Sequence, residues 1–241
     1  MKNTMLYVLA LLSLTINAQW GNKKIKGNGK VVTIERSVGD YESIASAGWF
    51  DIILVAGEEG KITLKGEENL LEYIETEVKN GKLTIKQEKG VNLKSSSWKG
   101  GIEVTIPITD INAVSLAGSG DVISKTTIKS DNFKAALAGS GDISLAVEAD
   151  NFEASLSGSG DMKFDGSAEH FKVSVAGSGD INAFDLSANY VEASVAGSAD
   201  LNVTANQGIK ARVAGSGDIT YRGNPTKIDS KTSGSGNISS Y

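Results

Sequence analysis

Gly-Ser-Gly-Asp occurs five times in the second half of the chain, beginning at Gly118, Gly139, Gly158, Gly177 and Gly215. Two variants join the series, Gly-Ser-Ala-Asp at Gly197 and Gly-Ser-Gly-Asn at Gly234. Successive starts lie 21, 19, 19, 20, 18 and 19 residues apart. A unit this short cannot bury a core alone, so a period held over seven copies demands units stacked on one another.

Aligning the copies on their first glycine, position 0, shows which residues face the stack. Position −6 carries Phe133, Phe152, Phe171, Val191, Ile209 and Ile228. Position −4 is Ala or Val and position −2 is Leu or Val in the full copies, as in Ala154 and Leu156. Position +4 carries Val122, Ile143, Met162, Ile181, Leu201, Ile219 and Ile238. Position +6 is usually apolar, as in Leu145, Phe164 and Val203. All these offsets are even, which is the alternation of a β-strand with one buried face; no helical period appears. The odd offsets carry Ala or Ser at −1, Ser at +1 and Asp or Asn at +3, and face outward. The pattern predicts a parallel β-helix with rungs about 4.8 Å apart. Phe133, Phe152 and Phe171 should stack inside it.

Gly118, Gly139, Gly158, Gly177, Gly197, Gly215 and Gly234 read as structural bends. Glycine suits a turn that is left-handed or too crowded for a side chain. Ala199 replaces the second glycine of one copy, so the first is the stronger candidate for positive φ. Between position +6 and the next −6, about six residues such as 146–151 and 165–170 hold turn formers and predict return loops.

Upstream of the repeat, Ala47-Gly48-Trp49-Phe50-Asp51-Ile52 keeps the frame of Ala117-Gly118-Ser119-Gly120-Asp121-Val122 and reads as a degenerate first rung. Ile74, Thr76 and Val78 alternate up to Asn80-Gly81, with Leu83 and Ile85 beyond, which predicts a hairpin. Glu67–Leu71 suits a helical turn, Ile102–Ile106 a strand ended by Pro107, and 91–101 a polar surface loop. This region should cap one end of the stack.

At the N-terminus, Lys2 precedes the apolar run Met5–Ile16 and the small-residue site Asn17-Ala18-Gln19. The run is too short to span a bilayer but has the form of a signal peptide over residues 1–19. The mature chain then starts with segment 20–37. No other stretch is long and apolar enough for a transmembrane span. The chain has no cysteine, so disulfides, thiolate metal sites and a lipidated N-terminal cysteine are excluded. A net charge of −5 argues against nucleic acid as a partner.

The AGWFDI segment, the ENLLEYIETEVKNGKLTIK segment and the repeated AGSGDI turns together resemble the auto-transporter adhesin "head GIN domain" family, a domain of unknown function found mainly in Bacteroidetes. The resemblance covers 38–222, with irregular rungs over 38–112 and repeat rungs over 113–222; residues 223–241 form the last rung and C-terminal end. It implies an all-β, right-handed parallel β-helix (a β-solenoid) with a more irregular N-terminal β region. It also implies export to the periplasm or cell surface of a Gram-negative bacterium. It brings no catalytic residues.

The chemistry left to weigh is sparse. Asp121, Asp142, Asp161, Asp180, Asp200 and Asp218 form a column at position +3. It could attract cations, because hard ions want clustered oxygens, but one acid per rung leaves each ion under-coordinated. The plainer expectation is that each Asp accepts hydrogen bonds from serine hydroxyls or turn amides. Trp49 and Trp98 are candidate surface-binding residues, able to stack on sugars. His170 is the single histidine and reads as a surface residue with no triad around it. No cofactor is expected. The reading is a non-enzymatic binding or adhesion module with a glycan or surface protein as ligand. The rivals are a structural protein that self-associates and a polysaccharide-acting enzyme.

Overall fold

The computed structural model describes residues 23–97 and 101–241. The proposed signal peptide and Trp98 lie outside them. In chain order the elements are β1 Lys23–Lys26, β2 Val31–Ser37, β3 Ser43–Gly48, β4 Asp51–Ala56, β5 Lys61–Glu67, the single helical turn α1 Glu68–Leu71, β6 Ile74–Lys79, β7 Lys82–Gln87, β8 Val91–Lys94, β9 Glu103–Ile108 and β10 Ala113–Gly118. The strands then lengthen into whole coils: β11 Val122–Gly139, β12 Ile143–Gly158, β13 Met162–Gly177, β14 Ile181–Gly197 and β15 Leu201–Gly215. Three short strands end the stack, β16 Ile219–Arg222, β17 Lys227–Gly234 and β18 Ile238–Ser240.

Each coil pairs in parallel with the next, and the first glycines lie in register from Gly48 through Gly118, Gly139, Gly158, Gly177, Gly197 and Gly215 to Gly234. The molecule is therefore a β-solenoid, and the AGWFDI frame is its first rung. Positions −6, −4, −2 and +4 are buried in every coil from β11 to β15. The phenylalanine column stacks as the alternation predicts, with centroids 5.6 Å apart for Phe133–Phe152 and 5.0 Å for Phe152–Phe171. Phe164, from position +6, meets Phe152 edge-on at 4.8 Å.

The return segments are not loops. Residues 146–151 and 165–170 run in β-structure and pair with each other rung to rung. They add a third inward column, in which Ile128, Val147 and Leu186 are buried. Turn formers can sit in strands here because the neighbouring coil supplies backbone partners whatever the side chain. Two bounds also move. Val91–Lys94 is a strand paired with β1, with Val91 and Leu93 buried, rather than loop. β9 continues through Pro107 to Ile108; β5 pairs with it only over Glu103–Thr105, which leaves the proline a flank without a partner strand.

The two ends differ. At the N-terminal end β7 extends the stack in parallel, and β6, β5 and β2 then run antiparallel to their neighbours. The β6–β7 turn is the predicted hairpin, with φ of 52° at Asn80 and 71° at Gly81. Arg36 of β2 donates hydrogen bonds to the carbonyls of Leu71 and Ile74 and closes this end. At the C-terminal end β17 is exposed throughout, and its inward positions are Ile228, Ser230 and Thr232.

Candidate functional site

The bend chemistry accounts for both glycines and the aspartate. All seven first glycines have φ between 120° and 148°. Where another rung follows, the carbonyl of each points along the stack and accepts that rung's amide at position +1, and also at +2 except from Ala199; Gly118 O takes Ser140 N at 2.9 Å and Gly141 N at 3.2 Å. A Cβ on the first glycine of the next rung would lie 1.9–2.2 Å from that oxygen. The second glycine meets the same obstacle without positive φ: a Cβ on Gly160 would lie 1.9 Å from Gly141 O.

The remaining bend amide falls to the aspartate column. The N–H of Asp142 donates to Oδ1 of Asp121 at 3.0 Å, and the same bond links Asp161 to Asp142, Asp180 to Asp161, Asp200 to Asp180 and Asp218 to Asp200 at 2.7–3.2 Å. The ladder starts one rung earlier, at Asp51, and ends on the amide of Asn237. Burial raises the Asp51 carboxyl above its usual range, and the Asp121 carboxylate raises it further, against the lowering effect of the Asp121 amide. One oxygen of each aspartate thus completes the next bend. Among the described residues no group of three or more His, Asp or Glu side chains could hold a metal ion.

Trp49 is half-buried against the core rather than a free platform, and its indole N–H donates to Oε1 of Gln87 at 3.1 Å. One side of it borders a hollow lined by Leu93 and residues 94–97.

A different surface stands out, at positions −7 and −5. The register aligns Asn132, Asn151, His170, Tyr190, Gly208 and Lys227 in one outward column, exposed except for the half-buried Tyr190 and the buried Gly208 beneath it. Asn151 donates to Asn132 at 3.1 Å. The rings of His170 and Tyr190 stack at 5.3 Å and 19°. Tyr190 donates its hydroxyl to Oε1 of Gln207 at 2.7 Å. Two residues along, position −5 alternates in charge: Lys134, Glu153, Lys172, Glu192, Lys210, Asp229. Neighbours pair at 3.2 Å (Lys134–Glu153), 3.7 Å (Glu153–Lys172) and 2.7 Å (Glu192–Lys210). The hydrogen bond from Lys210 holds the Glu192 carboxyl below its usual range. Arg212 reaches Asp229 at 2.5 Å and does the same there.

The two columns wall a groove of about 660 Å³ over the backbone of Phe171, Val191, Ile209 and Ile228. From the sequence His170 reads as a lone surface residue, and neither Tyr190 nor Lys227 stands out there. The same alignment that exposed position −6 could have shown position −7, where aromatics replace two asparagines and glycine follows them.

The family described as "Putative auto-transporter adhesin, head GIN domain" matches residues 40–225. A putative adhesin from Bacteroides fragilis superposes with a TM-score of 0.80 at 27% identity, covering 90% of this chain and 100% of that one. A putative lipid binding protein from Parabacteroides distasonis gives 0.74 at 28% identity, covering 91% and 100%. A putative adhesin from Parabacteroides merdae gives 0.71 at 22% identity, covering 91% and 99%, a likeness of fold. No curated protein matches the chain.

Proposed function

The chain belongs to the head GIN domain family, and on that footing we propose that it is an exported, non-catalytic binding module of the bacterial envelope, holding a glycan or surface-protein ligand on its outer columns. The observation that carries this reading is the groove along positions −7 and −5, a concave surface with an aromatic wall and an ionic wall on a rigid stack. Ligand sites are commonly concave surfaces of about this size, 300–1,000 Å³, with a few placed polar groups. The most regular set of carboxylates, the +3 column, has a backbone task in every rung, which supports a scaffold rather than an acid–base pair. Lys2 and the apolar run after it support export. No helix of the described residues is long and apolar enough to cross a membrane.

The test is binding of the purified mature chain to arrays of glycans and matrix proteins, with lipid vesicles as a third arm because one relative carries a lipid-binding name. Saturable binding to a glycan or protein is expected. Binding to vesicles alone would move the reading to a lipid ligand. No binding, with a stable oligomer by light scattering, would replace it with a structural self-associating protein. Mass spectrometry of the N-terminus after expression in a Bacteroidetes host checks export, which requires cleavage near Ala18.

A further inference from the structure

The last coil leaves an edge of backbone open. In the stack, odd positions bond to the rung before, as Lys134 N does to Asn112 O, and even positions to the rung after, as Ile143 N does to Asp161 O. β17 pairs with β15 alone among the described strands. The N–H and C=O groups of Ile228, Ser230 and Thr232 therefore point out of the stack with no strand to receive them among the described residues. The Ile228 side chain beside them is 54% exposed.

An open edge is a template for another strand, and here charge selects which one. The odd positions of β17 are Lys227, Asp229 and Lys231. A second molecule laid on in parallel and in register would set Lys on Lys and Asp on Asp. An antiparallel one, related by a two-fold axis at Ser230, sets Asp229 against the partner's Lys231 and Lys231 against the partner's Asp229. These are non-hydrogen-bonded pairs, in which Cα atoms approach to about 4.5 Å and side chains lie closest. The same axis makes hydrogen-bonded pairs of Ser230 with the partner's Ser230 and of Ile228 with the partner's Thr232, which uses every outward N–H and C=O of these residues. An axis at Asp229 would oppose the two aspartates. An axis at Ile228 would run half of each strand past Lys227 toward the buried Pro225. Both charges also lack this partner within one molecule. Arg212 holds Oδ2 of Asp229 and leaves Oδ1, while Lys231 stands in register with Arg212, a like charge, and has no carboxylate partner among the described residues. The partner's Lys231 over Asp229 would continue the sign alternation of the −5 column.

We propose that the open C-terminal end is a dimer interface, at which a second molecule of this chain pairs β17 antiparallel to β17 about Ser230. Closed two-fold contacts are the commonest in soluble oligomers. One short strand from each molecule makes a small interface, so dilution reverses the association.

Analytical ultracentrifugation of the full mature chain, without ligand, tests it. The chain should be a monomer with an open end at about 5 µM and a dimer at about 500 µM. Lys231→Glu and Asp229→Lys each set like charges opposite one another and should weaken association about tenfold or more. Mixed in equal amounts, the two variants should restore the dimer. The substituted positions then face each other with opposite charge, and the unchanged Asp229 of one faces the unchanged Lys231 of the other. Should Asp229→Lys unfold the last coil, which it also deprives of the Arg212 pair, Lys231→Glu decides alone, because Lys231 is exposed. A chain that stays monomeric at about 500 µM, a Lys231→Glu variant that dimerises like the wild type, or a mixture that stays monomeric while both variants melt like the wild type would each overturn the interface. Assemblies larger than a dimer would show head-to-tail stacking instead and overturn it too. Ligand binding is read separately, so loss of the dimer leaves the binding module standing.

Discussion

At the scale of single residues, the bend separates two kinds of glycine. Gly158 has φ of 137° and faces Gly139 O, so an alanine there meets both backbone strain and a carbonyl oxygen. Gly160 faces only the oxygen, and Ala199 occupies the equivalent site in the fifth copy fully buried. Gly158→Ala should cost at least about 2 kcal/mol and lower the melting temperature by about 5 °C or more, with Gly160→Ala the milder of the two. Scanning calorimetry of the pair checks the order. In the aspartate ladder, Asp161→Ala leaves the Asp180 amide without its acceptor and should cost about 1–2 kcal/mol. Asp161→Asn keeps a carbonyl acceptor and relieves repulsion between neighbours, which in water is about 1 kcal/mol at this spacing, so it should be near neutral. Equal losses from both would show that charge, not the acceptor, matters. The +3 column made the ladder legible, with a turn amide as one of two candidate partners; that the amide belongs to the next rung was not legible. A serine hydroxyl two residues away is the local candidate, but the acceptor goes to the amide one rung along, which only the stacking brings there.

At the scale of elements, the irregular first third depends on one buried carboxylate. Glu67, at the end of β5, accepts from Gly29 N at 2.6 Å, Ser95 Oγ at 2.7 Å and Ser96 N at 2.8 Å. Burial pushes its pKa up, but these hydrogen bonds outweigh that and hold it at about 2. They tie the segments flanking β1 and β8 to the main sheet. A carboxyl depressed on folding contributes stability that is present above its ordinary value near 4.5 and is lost as pH falls toward 2. Wild type should therefore exceed Glu67→Gln in thermal stability at pH 6, with the gap closing between pH 4.5 and 2; a gap constant across that window would remove Glu67 as the source. Nothing in the sequence marks this glutamate, because its partners lie 28 to 38 residues away in segments with no shared period. The β6–β7 hairpin was legible for the opposite reason: its turn and alternation are local. The return segments read as loops because their composition is that of loops, whereas their pairing is supplied by other coils.

At the scale of the whole molecule, the stack is closed at one end and open at the other. Ile228 of the last coil is 54% exposed, while its counterpart Ile209 one rung earlier is 3% exposed. In a solenoid, stability is the sum of coil and interface contributions, and the last coil has one interface. Hydrogen exchange should find the amides of β17 and β18 opening well before those of β12 and β13; uniform protection would show that something covers this end. The groove was the least legible feature, because it arises from differences between copies at one position, visible only once the register is known. The −5 column holds a further consequence. Because its charges alternate, the rod has a parity. Deleting one coil, residues 159–177, would bring Glu153 beside Glu192, whereas deleting two, 159–197, would bring it beside Lys210. The length of this rod can therefore change by an even number of coils with every charge still facing its opposite, and by an odd number only by setting like against like.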